Sequence, residues 1–285
     1  MTRPPLICSS HTISGVMPGD PAIARDDFAA RAAACAWAGF DGLCLHMRDY
    51  ALQTRLGASP AALRSILERN GLAVTSVEFL SDWASPTEAA RANTDLAFAA
   101  ARALGAPVVN AGIDALDTGA PLETLVAPLR ALCDRAEEAG VRIALEFVAW
   151  GSCGSLAEAM DLVAASGGRC GLLLDLWHLA RAGVPDQALD AVPPEAVLGL
   201  QISDARRPDP RPPREATLDR LFCGEGELDL AGFLARAARL GWNAPVDVEI
   251  ISPRVAALPV DLRAAHAYET SLPFVNAAWS AYDPA

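Results

Sequence analysis

The stretch "EAGVRIALEFV", residues 138–148, reads as a helix end, a turn and a buried strand in immediate succession. Gly140 is suited to the left-handed conformation that stops a helix, because it has no Cβ to clash there. The apolar run that follows is short and partly β-branched, as in a strand covered on both faces. Near its end stands Glu146, a carboxylate between Leu145 and Phe147 that begins no helix.

The same punctuation recurs along the chain. "WAGFDGLCLH" (37–46), "RNGLAVTSVEF" (69–79), "ALGAPVVNAG" (103–112), "SGGRCGLLLD" (166–175) and "LGWNAPVDVEI" (240–250) each end a helical stretch at glycine and pass into an apolar run. The spacing is that of one βα unit. Strands are expected at 6–10, 41–46, 73–79, 107–112, 141–148, 170–175, 197–203 and 245–250. Helices are expected at 24–38, 60–70, 87–104, 121–139, 155–166, 178–191, 229–240 and 260–273. Eight alternating units predict a single (β/α)8 TIM barrel over residues 1–285, with its active site at the C-terminal ends of the strands. An open doubly wound sheet fits less well, because no G-x-G-x-x-G or other phosphate-cradling glycine loop is present.

Composition narrows the function. The 285 residues are 52% hydrophobic, enough for a large core. No apolar run approaches the ~20 residues that span a bilayer, and the N-terminus lacks a secretory h-region. A cytoplasmic protein without membrane contact is expected. The net charge of −12 opposes nucleic-acid binding. Seven scattered cysteines fit neither a disulfide framework nor a zinc ribbon.

The ends of the expected strands carry the chemistry. Glu78, Asn110, Glu146, Asp175, Gln201, Asp204 and Glu249 stand there. Asp175 is also placed to cap the helix that follows. That explanation fails for Glu146 and Glu249, which start no helix. Carboxylates gathered in one mouth repel one another unless a cation sits among them, and hard oxygen donors suit Mn²⁺, Mg²⁺ or Co²⁺. The longest irregular segment, 204–227, follows strand seven and should lie over this face.

"LEFVAWG", "LLLDLWHLARAG" (172–183), "LGLQISDA", "CGEGELDLAGFL" and "VDVEI" resemble the xylose-isomerase-like TIM barrels, the sugar phosphate isomerase/epimerase group. The resemblance is strongest from about 140 to 252. It implies Glu146, Asp175, Gln201 and Glu249 as ligands of one divalent ion, Mn²⁺ first, with Mg²⁺, Co²⁺ or Zn²⁺ as substitutes. It implies that His178 touches a substrate oxygen and that either Arg207 or Arg220 binds substrate, beside Asn110 and Glu78. Two departures stand out. Gln201 replaces the histidine of many members, and Cys223 replaces the usual proline before G-x-G.

The implied activity is a metal-dependent isomerase or epimerase acting on a keto sugar, polyol or cyclitol. Glu146 and Glu249 would exchange the proton through a metal-stabilised enediolate. The alternative is a dehydratase of the 3-dehydroshikimate or keto-inositol type, although that branch carries an arginine where this chain has Ser81. An abasic-site endonuclease needs more histidines than the four present, and a binding barrel would leave the ligand set without a purpose. The expected partner is a small carbohydrate or cyclitol. The long loop and apolar helices are compatible with a homodimer.

Overall fold

The computed structural model describes residues 2–281. Gly140 adopts φ +72° and closes the helix Leu122–Ala139, after which the chain enters a strand at Arg142. Eight such strands form: β1 Leu6–Cys8, β2 Gly42–His46, β3 Ala73–Leu80, β4 Val108–Gly112, β5 Arg142–Glu146, β6 Cys170–Asp175, β7 Val197–Ile202 and β8 Val246–Val248. They pair in parallel and in sequence order, and β8 closes on β1 to make a barrel. All eight expected strands and the barrel are present.

The helices start where short polar side chains take up free N–H groups. Asp27, Ser59, Thr87, Ser155 and Asp229 each accept a hydrogen bond from the first turn of the helix they precede. Amphipathic helices such as Glu88–Leu104 then lay Ala97, Phe98 and Ala101 on the outside of the sheet. No helix among the described residues is long and apolar enough to cross a membrane.

Two expected helices end elsewhere. The one expected at 178–191 is a short helix, Leu176–Arg181, followed by a separate 3-10 turn, Asp186–Ala191. Gly183, at φ +68°, and Pro185 interrupt it. The last helix runs through Pro273 to Ser280 rather than stopping at 273. Short helices at Ser10–Ile13, Met47–Arg55 and Pro253–Ala256 lie at strand ends and were not expected.

The long segment after β7 is folded. It contains the helix Pro213–Ala216 and the turn Thr217–Asp219. Asp204 and Leu221 bridge antiparallel across its base. The Asp204 carboxylate accepts the N–H groups of Ala205, Gly224 and Leu228 at 2.8, 2.9 and 3.0 Å. Gly226 is required by this packing, since a Cβ there would lie 2.4 Å from the Ala205 carbonyl oxygen. Asp204→Ala should therefore cost roughly 2–4 kcal/mol, at about 1 kcal/mol for each lost bond. In urea this would appear as a lower midpoint with an unchanged slope.

Candidate active site at the strand ends

Strand register places the polar residues together. Glu146 and Asp175 are the last residues of β5 and β6. Gln201 on β7 pairs with both Asp175 and Asp247. Register partners on neighbouring strands share a face, so Asp175, Gln201 and Asp247 all point into the barrel. Glu249, two residues beyond Asp247, points the same way. Glu146, Gln201, Glu249, Glu78, Asn110, His178 and Arg220 line one cavity of about 370 Å³.

Arg220 organises the acidic side. It is 1% exposed, and its Nη1 donates to Asp175 Oδ2 at 2.8 Å and to Glu249 Oε2 at 3.0 Å. Its guanidinium carbon lies 4.8 Å from the centre of the buried Trp177 ring, close enough for a cation–π contact. Asp175 uses its other oxygen, Oδ1, to cap the following helix at Trp177 N–H, 2.8 Å away. The carboxylate is thus both a cap and a site residue. Arg207 lies elsewhere. It is exposed and borders a separate cavity with Asp229 and Arg236, whereas Arg220 lines the mouth together with Arg214.

His178 has a defined tautomer. The Ala149 N–H donates to Nδ1 at 3.1 Å, which leaves the proton of the neutral ring on Nε2. With its proton there, Nε2 donates towards Glu146 Oε1 at 3.4 Å, and Arg220 Nη2 lies at the same distance from it. Burial, followed by the Arg220 charge, holds this imidazole well below its ordinary range and keeps it neutral.

The carboxylates shift the other way. Burial raises Glu146 well above the usual carboxylate range, reinforced by Glu249 and Asp175 and opposed by Arg220. Burial also raises Asp175, again against Arg220. Glu249 is pushed up to about 8 by burial. In the cation-free chain Glu249 therefore keeps a proton that the unfolded chain releases near 4.5. The native state gains from this proton below that value and loses the gain as pH climbs towards 8. The melting temperature of cation-free protein should fall over this window, and cation affinity should rise as the proton leaves. Calorimetry at several pH values, with and without added Mn²⁺, would check both.

The donor set fits a divalent cation. Carboxylate oxygens of Glu146 and Asp175 lie within 4.8 Å of each other, beside His178. Gln201 Oε1 is buried without a hydrogen-bond partner, while its Nε2 donates to Glu249 Oε1 at 3.2 Å. A free amide oxygen beside three carboxylates is the hard environment such ions take.

Other residues resolve individually. Glu78 reaches the cavity, but its oxygens accept Ser10 Oγ–H and, at 2.9 Å, the Cys44 thiol. Trp150 lines the cavity, whereas Trp83 covers the barrel top and donates to the Gly112 carbonyl at 2.8 Å. His11 borders the mouth, while His46 lies in a neighbouring pocket. His266 sits half-exposed near Glu225. Asp247 was missed by the sequence reading. Its signal was the alternation in "VDVEI", which puts Asp247 and Glu249 on one face.

The chain belongs to the xylose isomerase-like TIM barrel family, whose pattern matches residues 32–277. It is 29% identical over 242 residues to a 3-dehydroshikimate dehydratase from Pseudomonas putida, covering 81% of this chain and 37% of the relative. The chain thus spans little more than a third of that protein. Over 147 residues it is 31% identical to an inosose isomerase from Bacillus velezensis, covering 50% of this chain and 51% of the relative. Its fold matches that of the IOLI protein with a bound zinc atom at a TM-score of 0.84 and 20% identity, covering 97% and 99% of the two chains.

Proposed function

We propose that this chain is a divalent-metal-dependent enzyme that removes the proton α to the carbonyl of a hydroxy-ketone on a six-membered carbon ring and returns it as an isomerase or epimerase. The observation that carries this reading is the convergence of Glu146, His178, Gln201, Arg220 and Glu249 on one cavity. Inosose and 3-dehydroshikimate, named in the relatives, are both ring hydroxy-ketones.

Glu146, Asp175, Gln201 and Glu249 would hold the cation, for which their oxygen donors make Mn²⁺ the first choice. Bound there, it would polarise the ketone oxygen and acidify the neighbouring C–H. All 23 basic residues are arginines, so a lysine Schiff base cannot serve that purpose.

Glu249 takes the α-proton and Glu146, at the end of β5 with β6 and β7 between it and β8, returns one to the adjoining carbon. Environments that raise both carboxyl groups favour their carrying a proton. His178 Nε2–H holds a substrate oxygen, and Arg220 holds another while neutralising Asp175 and Glu249. Val148, Trp150 and Ile251 form the apolar wall that excludes water.

A second reading, loss of a β-hydroxyl as water, is favoured by the longer alignment to the dehydratase, 81% of this chain against 50% for the isomerase. Incubating Mn²⁺-loaded protein with inosose and with 3-dehydroshikimate in an NMR tube separates the two. A rearranged ring ketone supports the first reading, and an aromatic product the second. Neither substrate being consumed would count against the ring-ketone class.

A further inference from the structure

Below the strand-end carboxylates lies a second acidic group that the proposed reaction does not use. Asp247 on β8 and Glu78 on β3 face each other across the barrel interior with the Cys44 thiol of β2. The ligand atoms of the three lie within 4.8 Å of one another, and all three residues are buried. Asp247 Oδ1 has no hydrogen-bond partner, and its Oδ2 has only a 3.5 Å contact from Gln201 Nε2. A buried carboxylate oxygen without a partner is a group that a cation would satisfy.

Few cationic side chains reach the buried carboxylates. Glu78, Glu146, Asp175, Asp247 and Glu249 are five buried carboxylates. Among the described residues, Arg220 is the only arginine hydrogen-bonded to any of them. It reaches neither Glu78 nor Asp247.

We propose that Cys44, Glu78 and Asp247 form a second cation site, adjoining the strand-end set but sharing none of its ligands, that takes a borderline divalent ion of the Zn²⁺ class. A thiol among the donors selects Zn²⁺ or Co²⁺ over Mg²⁺. Binding displaces the thiol proton, so Cys44 coordinates as thiolate and one proton leaves to solvent. Glu78, which lines the catalytic cavity, opens the route from the mouth. Gln201, in contact with both Asp247 and Glu249, joins the two sites. The inference goes beyond the reaction proposed above and does not depend on it.

Chelated protein is titrated with Co²⁺ while the near-ultraviolet thiolate-to-cobalt band is followed, and bound cobalt is counted by elemental mass spectrometry. Two cobalt ions per chain are expected, one of them bringing the band. The oxygen-only strand-end set contributes none. Cys44→Ser and Asp247→Asn should each lose the band and one cobalt while keeping the other and the wild-type circular dichroism. Wild-type protein that binds one cobalt without the band overturns the second site and leaves the first standing. A band that persists in Cys44→Ser places the thiolate on another cysteine, and an undiminished band in Asp247→Asn removes Asp247 from the site; either result overturns it. The wild-type titration decides even if a variant fails to fold.

Discussion

Arg220→Met should lower kcat/KM on a ring hydroxy-ketone about 10²–10³-fold, the loss typical of removing one preorganised donor to developing negative charge. Methionine keeps much of the apolar stem against Trp177 but removes the donor shared by Asp175 and Glu249. Two buried carboxylates then lose their counter-ion, which costs about 3–5 kcal/mol when one partner of a buried pair is deleted. Added Mn²⁺ should recover most of that stability, because the cation neutralises the same carboxylates, but should not recover turnover. Denaturation with and without Mn²⁺, beside steady-state kinetics, separates these effects. If the variant kept wild-type turnover, Arg220 would be a counter-ion without a role in the reaction.

Glu249→Gln should have the larger effect on chemistry. Glutamine preserves size and can still donate or accept a hydrogen bond, but it cannot take a proton. A loss of about 10²–10⁴-fold is expected for removing a general base. Exchange of the substrate α-proton with D₂O should disappear with it. The variant should also bind Mn²⁺ more weakly, so exchange must be measured once elemental analysis shows the strand-end set loaded. Undiminished exchange in loaded Glu249→Gln would move the base to Glu146. That outcome would give Glu249 a ligand role alone.

Much of this arrangement was legible in the chain. The barrel followed from glycines such as Gly140, each stopping a helix before an apolar run, because both signals are local. Glu146 and Glu249 stood out because a carboxylate between apolar residues at a strand end has no cap to form. Arg220 could not be separated from Arg207, since the loop register depends on contacts distant in sequence. The three N–H groups on Asp204 and its bridge to Leu221 turn the segment so that Arg220 enters the mouth. The His178 tautomer likewise depends on the Ala149 amide from another strand end. Asp247 was readable from its alternation with Glu249. Its importance emerges only beside Glu78 and Cys44, which the closed barrel brings across from β3 and β2.

The most direct test of the central claim is α-proton exchange with D₂O, followed by NMR on inosose and 3-dehydroshikimate with Mn²⁺-loaded and chelated wild-type protein. Deuterium incorporation, or ring conversion that passes through it, is expected with at least one ring ketone. Chelation should abolish it and Mn²⁺ should restore it. Exchange that survives chelation, or its absence with both ketones in loaded protein, would contradict the assignment of the strand-end carboxylates to cation-assisted proton transfer.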